Sequence, residues 1–306
     1  MRKIILTLTA VLTAAAVNAQ SGVRIVSDIA ADNSLQLLAD ISGYGTFTIW
    51  LYIDNAENTA DTRLESGYPI IVTTDKSGIV LELQPIDADI PVTADYSYKW
   101  LQGELDAVPE NTVYRLPIAA GRTTTVTALT PAQMNMMRDN VSGFKMWRLG
   151  MERNDAVFAM RSGTVIAVED AARQGNTSEY AGMDEGNSIV VEHADGTMAR
   201  YSCLKTGSIM VAEGDRVYAD TPMALAGIFR DGSAGTRIGV YRYVTNRNKM
   251  AYPNMEHQTE FFDPHFMTSD GDVTLPDNGK VTCKTTRKLL DSGKPHRSIW
   301  QRIFGK

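Results

Sequence analysis

Few side chains in this sequence are suited to bind a metal ion or to act as nucleophiles. The chain of 306 residues contains four histidines and two cysteines. A catalytic zinc ion needs three protein ligands and an open position, and imidazole, thiolate and carboxylate groups are its usual donors. The residues that could supply nitrogen or sulfur donors are His193, His257, His265, His296, Cys203 and Cys283.

Two arrangements of these residues could support chemistry. One is a metal site built from Cys203, His257, Asp263 and His265. The stretch HQTEFFDPH, however, does not place its histidines on adjacent turns of a helix, and its proline favours a loop. The other is a Cys203 nucleophile, but no histidine lies at a predictable distance from it and a disulfide would compete.

β-strands must position these residues, because strand patterns fill most of the chain. Residues 23–112 alternate apolar and polar positions in runs such as TFTIWLYID, YPIIVTT and GIVLELQP, which turn-forming residues separate. Five or six such strands predict a small antiparallel β-sandwich. This half has no histidine and no cysteine. Trp50 and Trp100 could form a sugar-binding face, although buried strand aromatics are the more common explanation.

A proline-containing stretch, VPENTVYRLPIAAG at 108–121, separates this half from a second one. The stretch TPAQMNMMRDNV that follows predicts a short helix, with Thr130 as its cap and Pro131 at its first position. Strand patterns return from Phe144 onward. The second half is therefore also predicted to be mainly β-structure.

Two segments of the second half resemble each other. NDAVFAMRSGTVIAV and GDRVYADTPMALAG both place an aspartate-containing turn before a valine-aromatic-alanine run. Two hairpins of this kind facing each other predict a barrel-sandwich hybrid, a scaffold found in carrier domains and in some hydrolases. A carrier domain needs a lysine at the hairpin tip, where this chain has Arg161. The carrier function is therefore not favoured.

The order of four segments between Tyr114 and about Val244 resembles the lysostaphin/LytM-type family of zinc peptidoglycan endopeptidases. The segments are YRLPIAAG, RNDAVFAMRSGTVIAV, GNSIVVEHADGTMARYSCL and VAEGDRVYADTPMALAG. The resemblance covers somewhat under half of the chain and implies a duplicated-hybrid-motif fold. The predicted fold class is all-β, an N-terminal antiparallel β-sandwich followed by a barrel-sandwich-hybrid domain. The predicted divisions are a signal peptide at 1–19, the sandwich at 20–112, a LytM-type peptidase-like domain at 113–270 and a basic tail at 271–306.

The resemblance also implies where a zinc site would lie. The family holds zinc with the His and Asp of a His-x-Gly-x-Asp segment and with the second His of a His-x-His strand. Two further histidines assist the bound water. These positions correspond here to Arg153 and Val157, to Gly239, and to Cys203 and Arg237. The former groove is predicted to comprise Arg153, Val157, Cys203, Arg237, Gly239 and Tyr241.

These substitutions remove the donors that zinc requires. Valine and glycine have no ligand atom in their side chains, and arginine stays protonated near neutral pH and repels a cation. His193 matches a solvent-side EHADGT turn of the family and not a ligand. No zinc cofactor is therefore expected, although the family uses one. Arg153 and Arg237 could instead hold the carboxylates of a wall stem peptide, or could form ion pairs with Glu152, Asp155 or other acids.

The N-terminus and the charge distribution limit location and partners. The first 19 residues have a basic start, a short apolar run and small residues near Ala19, as in a cleavable signal peptide, and no cysteine follows to accept a lipid. A secreted or periplasmic protein is expected, in which Cys203 and Cys283 could pair. A net charge of −6 argues weakly against nucleic acid. The basic tail predicts either weak contact with an anionic surface or a helix packed on the protein itself.

Three functions remain open from the sequence. The first is a secreted, catalytically inactive homologue of the peptidases that acts as a cell-wall binding or regulatory module. Its partner would be peptidoglycan, its stem peptides or a cell-wall hydrolase. The second is an active zinc endopeptidase with relocated ligands, and the third is a structural periplasmic module that binds a protein partner.

Overall fold

The computed structural model describes residues 21–134, 136, 140–176, 186–247, 249–252 and 254–284. Their regular structure consists of β-strands and two 3₁₀ helices, Thr62–Ser66 and Ala171–Gln174. The all-β prediction is therefore confirmed. The predicted signal peptide and residues 285–306 of the predicted tail lie outside the described residues. In the part of the chain that the structure describes, no helix has the length and apolar character needed to cross a membrane.

The N-terminal half forms the predicted β-sandwich. Its strands are β1 (Gly22–Ile29), β2 (Leu35–Ser42), β3 (Phe47–Glu57), β4 (Ile70–Thr74), β5 (Gly78–Leu83) and β6 (Thr93–Gln102). They form two antiparallel sheets with the orders β1-β2-β5 and β4-β3-β6. Alternate residues such as Leu35, Leu37 and Ala39 are buried in a core that both sheets share, as the two-residue periodicity predicts.

The second half contains sixteen strands among the described residues. They are β7 (Tyr114–Arg115), β8 (Thr123–Ala128), β9 (Val141–Ser142), β10 (Met146–Gly150), β11 (Ala156–Phe158), β12 (Gly163–Glu169), β13 (Ser188–Glu192), β14 (Met198–Ser202), β15 (Arg216–Val217), β16 (Pro222–Leu225), β17 (Gly227–Ile228), β18 (Ala234–Thr245), β19 (His257–Phe261), β20 (Phe266–Thr268), β21 (Gly271–Val273) and β22 (Asn278–Thr282). The main sheet has the order β15-β12-β13-β14-β18-β10-β8-β22. Residues 271–282 of the predicted tail thus include two strands.

The long strand β18 organises the main sheet. Its first half pairs with β10 and its second half with β19 on one side, while β14 and β17 pair with it on the other. The two segments that resemble each other in sequence face each other, and their strands pair β11 with β16 and β12 with β15. These pairings confirm the barrel-like architecture. One apolar core, which includes Trp147, Tyr201 and Ile238, lies beneath the main sheet.

The predicted helix after Thr130 is wrong for the described residues of that segment, which form a turn. The capping interactions are present, since the Thr130 N–H donates to Oε1 of Gln133 at 2.8 Å. The chain then turns inward, because Met134 is 2% exposed and packs in an apolar cluster with Met146 and Tyr241. The end of the predicted helix is strand β9, which pairs with β19. Asn135 and residues 137–139 lie outside the described residues.

The two halves make direct contacts with each other. The Thr46 N–H donates to Oε2 of Glu192 at 2.9 Å, and Nη1 of Arg242 donates to the Ala107 carbonyl at 2.7 Å. Gly103 has a φ of 143°, and a Cβ there would overlap Met198 and Tyr243. The sandwich therefore packs closely against one end of the main sheet.

Candidate functional site

Three of the predicted groove residues share one face of the main sheet. Arg237, Gly239 and Tyr241 alternate along β18 with Ile238 and Val240, which lie in the core. Side chains alternate across a strand, so the first three lie on the face opposite the core. This face, which carries Arg237, Gly239, Tyr241 and Arg148 of β10, is here called the groove face.

Gly239 lies where the structure leaves no room for a metal-binding side chain. A Cβ built on Gly239 would lie 2.6 Å from Cγ of Met146 and 3.1 Å from Cε1 of Phe261. Tyr241 is 7% exposed, and its ring centroid is 5.5 Å from that of Phe261. This part of the groove face is therefore filled by the protein's own apolar side chains.

Arg237 is buried beside a second arginine. It is 7% exposed, and its guanidinium carbon is 5.5 Å from the centroid of the Phe229 ring. Arg148, directly opposite on β10, lies 3.9 Å from the same centroid and donates to Oδ2 of Asp231 at 2.7 Å. An aromatic face attracts guanidinium groups electrostatically. Phe229 thus contacts two guanidinium groups, and one of them, Arg237, stands where the resemblance implies a histidine that assists the bound water.

Val157 and Arg153 differ in burial. Val157 is on β11, is fully buried and belongs to the core beneath the main sheet. Arg153 is exposed in a turn in which the Asp155 N–H donates to the Glu152 carbonyl at 3.2 Å, and Asn154 has a left-handed φ of 67°. The structure does not place Arg153 beside Arg237 on Phe229.

The acids next to Arg153 are paired with a different arginine. Nη2 of Arg122 lies 2.9 Å from Oε1 of Glu152 and 3.9 Å from Oδ2 of Asp155. The local ion pairs considered for Arg153 are therefore made by Arg122, a residue that the sequence analysis did not single out.

Cys203 is buried at the end of β14. It is 1% exposed, has a left-handed φ of 58°, and its carbonyl accepts from the Gly227 N–H at 3.0 Å. A Cβ on Gly227 would lie 2.5 Å from that carbonyl oxygen, so this crossing requires glycine. Neither Cys203 nor Cys283 is in a disulfide, and burial raises the pKa of the Cys283 thiol. The possible disulfide is therefore not formed.

The structure does not assemble the alternative metal site. His257 packs in an aromatic group with Trp50 and Tyr243, at centroid distances of 6.3 and 5.1 Å. Within the described residues, no group of three or more His, Cys, Asp or Glu side chains could hold a metal ion. Trp50 is 3% exposed, in keeping with a buried strand aromatic, whereas Trp100 is 39% exposed.

The zinc positions implied by the resemblance do not fit zinc. Val157 and Gly239 have no donor atom, and Arg237 brings a positive charge. The steric closure at Gly239 and the burial of Val157 are independent structural reasons. No catalytic step through a metal follows from these residues.

The groove face also carries a row of polar residues across seven strands. Successive strand pairings join Asn278, Thr127, Arg148, Arg237, Ser202, Ser188 and Glu169. Ser188, Ser202 and Arg237 are buried in the middle of the row, and Thr127 and Asn278 are exposed at one end. A cavity of about 560 Å³ opens at that end, over β22, β8 and β10. Solvent therefore reaches the row there.

A second polar group is buried at the tip between β11 and β12. The guanidinium of Arg161 donates to Oδ2 of Asp195 and to Oε2 of Glu110, each at 2.7 Å. The side chains of Arg161 and Asp195 are 9% and 3% exposed. Burial alone would raise the pKa of Asp195, but hydrogen bonds from Arg161 and Thr197 lower it to about 2. This network ties the seam between the halves to the second half.

His193 lies beside this network and is buried, so the solvent-side interpretation of the EHADGT turn is wrong. It is 3% exposed, its ring lies 5.5 Å from that of Tyr114, and Nδ1 is 2.8 Å from the Ser162 carbonyl oxygen. The segment around Tyr114 covers the turn, because Arg161 holds Glu110 and Glu110 N–H donates to Asp195. Burial lowers the pKa of His193 to about 4.

We expect the stability of the protein to fall as the pH decreases from about 6.5 to 4. In this window the unfolded chain binds a proton at His193 and the folded chain does not, so the free energy of unfolding should fall by about 3 kcal/mol. Denaturant unfolding at several pH values measures this slope of the unfolding free energy against pH. His193→Gln should remove most of this decrease, while His257, whose pKa burial also lowers, and Glu256, whose pKa is lowered to about 2, contribute to the remainder. An unchanged slope in His193→Gln would contradict the assignment.

The chain is similar in fold to solved structures, although its sequence matches no known family. No protein-family model and no curated protein matches the chain. The catalytic domain of lysostaphin from Staphylococcus simulans is similar with 21% identity and a TM-score of 0.24, over 31% of this chain and 63% of that domain. Pseudoalterin, an M23 metalloprotease from the deep sea, is similar with 14% identity and a TM-score of 0.30, over 57% of this chain and 96% of that one.

Csd3 from Helicobacter pylori is similar with 10% identity and a TM-score of 0.29, over 73% of this chain and 72% of that one. Lysostaphin and the M23 metalloprotease are of the class that the four sequence segments resemble. The chain spans less than two thirds of the lysostaphin catalytic domain. None of these likenesses assigns an activity to this chain.

Proposed function

We propose that the protein is a secreted, catalytically inactive homologue of peptidoglycan metalloendopeptidases that acts as a cell-wall binding or regulatory module. The proposal rests on the surroundings of the residues at which the resemblance implies a zinc site. Val157 is in the core, the space at Gly239 is filled by Met146 and Phe261, and Arg237 stacks on Phe229. A face with these residues presents guanidinium groups in place of metal-binding side chains.

The chemistry of the groove face supports binding of an anionic ligand. Guanidinium groups recognise carboxylates through paired, charge-assisted hydrogen bonds. Arg148 is the more accessible of the two arginines on Phe229, with 29% of its side chain exposed. A wall stem peptide with free carboxylates is the ligand class that this face would hold without cutting.

We expect the purified mature protein to contain no stoichiometric zinc, to leave cell walls intact and to sediment with peptidoglycan sacculi. Elemental analysis, a turbidity assay on cell walls and a sacculus pull-down measure the three properties. Arg148→Met should reduce retention on sacculi several-fold. Arg24→Met is the matched control, because Arg24 is an exposed arginine of the sandwich that pairs with Asp40.

Two results would contradict the proposal. One zinc ion held tightly per chain would favour an active enzyme with relocated ligands. Absence of sacculus binding would favour a structural module for a protein partner. A specific observation supports this second candidate, since Val26, Leu38 and Ile79 form an apolar row on the outer face of the sandwich, with Val26 and Ile79 39% and 54% exposed.

A further inference from the structure

The cavity at the exposed end of the polar row has the size of a small-ligand site. Its volume of about 560 Å³ lies within the usual range of ligand pockets, roughly 300 to 1,000 Å³. Strand β8 forms its floor, with β22 and β10 on either side, and the turn at 152–155 forms one wall. None of the groove positions implied by the sequence resemblance lines it.

One side of the cavity presents hydrogen-bond donors and positive charge. Thr125 and Thr127 are exposed on β8, with Lys280 directly opposite Thr125 and Arg148 directly opposite Thr127. Adjacent strands are about 4.8 Å apart and residues two apart along a strand are about 6.7 Å apart, so the backbones of Lys280 and Arg148 are roughly 12 Å from each other diagonally, with both threonines between them. Within the described residues, neither the two hydroxyls nor the Lys280 ammonium makes a hydrogen bond or an ion pair. A carboxylate bound above β8 would accept hydrogen bonds from both threonine hydroxyls and from the Lys280 ammonium.

The absence of a side chain at Gly150 leaves the space above Thr125 open. Gly150 lies next to Thr125, and a Cβ at Gly150 would overlap the Thr125 hydroxyl. Its backbone carbonyl accepts from the Thr124 hydroxyl at 2.6 Å, which fixes β10 against β8. The Thr125 hydroxyl therefore stays directed into the cavity with no side chain above it.

Among the residues that line the cavity, those of the opposite wall carry a net negative charge. Glu152 and Asp155 line it together with Arg122, which partly neutralises them. Oδ2 of Asp155 accepts from the Glu152 N–H at 3.0 Å, while in the described part of the chain Oδ1 of Asp155 has no hydrogen-bond partner. On the β8 side, Lys280 leaves a net positive charge because Arg148 is paired with Asp231. The cavity is thus positive at one side and negative at the other.

We propose that this cavity binds a short zwitterionic peptide, with its carboxylate on Lys280, Thr125 and Thr127 and its ammonium on Asp155. A ligand with both charges matches both sides, whereas a purely anionic ligand would leave the Asp155 carboxylate unmatched. The inference rests on the proposed function only for the source of the ligand, a peptide released from or exposed on the cell wall. The charge pattern of the cavity does not depend on that source.

Titration of the full mature protein with the dipeptide Ala-Ala, followed by backbone amide NMR, tests the inference. Ala-Ala should shift the resonances of Thr123 to Thr127 and of Gly150. N-acetyl-Ala-Ala, which lacks the ammonium, and Ala-Ala amide, which lacks the carboxylate, should each bind about tenfold more weakly, since a charge-assisted hydrogen bond is lost in each case. Free alanine separates recognition of an amino acid from recognition of a peptide.

Variants on the surface of the cavity assign the two charges. Lys280→Met should weaken Ala-Ala about tenfold, and Asp155→Asn should weaken Ala-Ala but not N-acetyl-Ala-Ala. The matched control is Lys284→Met, because Lys284 is an exposed lysine outside the cavity. Equal weakening by Lys280→Met and Lys284→Met, or shifts confined to other strands, would overturn the inference.

The results separate this inference from the proposed function. If sacculi retain the protein but Ala-Ala gives no shifts on β8, the cavity inference fails and the wall-binding proposal stands. If Ala-Ala shifts β8 as expected but sacculi do not retain the protein, the cavity is a peptide site and the wall-binding proposal fails.

Discussion

Val157→Asp, which places a carboxylate where the sequence resemblance implies one, should unfold the protein rather than create a metal site. Val157 is fully buried on β11 and packs in the core beneath the main sheet. An unpaired carboxylate at such a position is either desolvated at large cost or protonated with a strongly raised pKa. We expect the free energy of unfolding to fall by about 4 kcal/mol or more, which denaturant unfolding or a shift of the chain to the insoluble fraction would show.

Two substitutions at the same position control for packing. Val157→Ala removes two methyl groups and should cost about 2 kcal/mol, and Val157→Thr preserves the shape but buries a hydroxyl. Zinc should not rescue Val157→Asp, because Arg153 and Gly239 supply no further ligand and a ligand stabilises only the state that binds it. Near-native stability of Val157→Asp, or stabilisation by zinc, would show that this side chain reaches a groove open to solvent.

The strand architecture could be predicted from sequence because it depends on local patterns. Alternation of apolar and polar residues defines both the sandwich strands and β18, and the repeated aspartate-turn pattern identified the segments that pair as β11 with β16 and β12 with β15. The helix after Thr130 failed for the opposite reason. Its capping residues behave locally as expected, but burial of Met134 against Met146 directs the chain into a turn.

The surroundings of the predicted groove residues could not be predicted, because they depend on residues distant in sequence. Nothing near Gly239 indicates that Met146 and Phe261 fill the space above it. Likewise, Phe229 and Arg148 define the surroundings of Arg237 only once β10 and β18 have paired. The threonines of β8 were visible in the sequence, but their meaning depends on Lys280 of β22 lying opposite them.

The buried ion-pair network at Arg161 could have been anticipated from the sequence. A single arginine interrupts the otherwise uncharged run AVFAMRSGTVIAV, and a charged residue in such a run is seldom buried without a partner. Its partners come from the seam, Glu110, and from the turn after β13, Asp195. The arginine that argued against a carrier lysine is therefore a structural residue that joins these segments.

Arg161→Met should destabilise the protein by about 3 to 5 kcal/mol at neutral pH. The substitution leaves the Asp195 carboxylate, 3% exposed, without its guanidinium partner, and an uncompensated buried charge costs more than the lost attraction. Glu110→Gln should cost at most about 1 kcal/mol, because that side chain is 63% exposed. Combining Arg161→Met with Asp195→Asn should recover part of the loss, since both charges are then removed.

The pH dependence distinguishes this electrostatic effect from a loss of packing. In the wild type the pKa of Asp195 is about 2, below its unfolded value, so its contribution to stability is present above pH 4 and is lost as the pH falls toward 2. In Arg161→Met burial is no longer offset, and the pKa of Asp195 should rise above its unfolded value. The difference in unfolding free energy between the two proteins should therefore narrow as the pH is lowered below that raised pKa. A difference that stays constant with pH would mean that Arg161 acts through the packing of its aliphatic stem against Tyr114, and not through its charge.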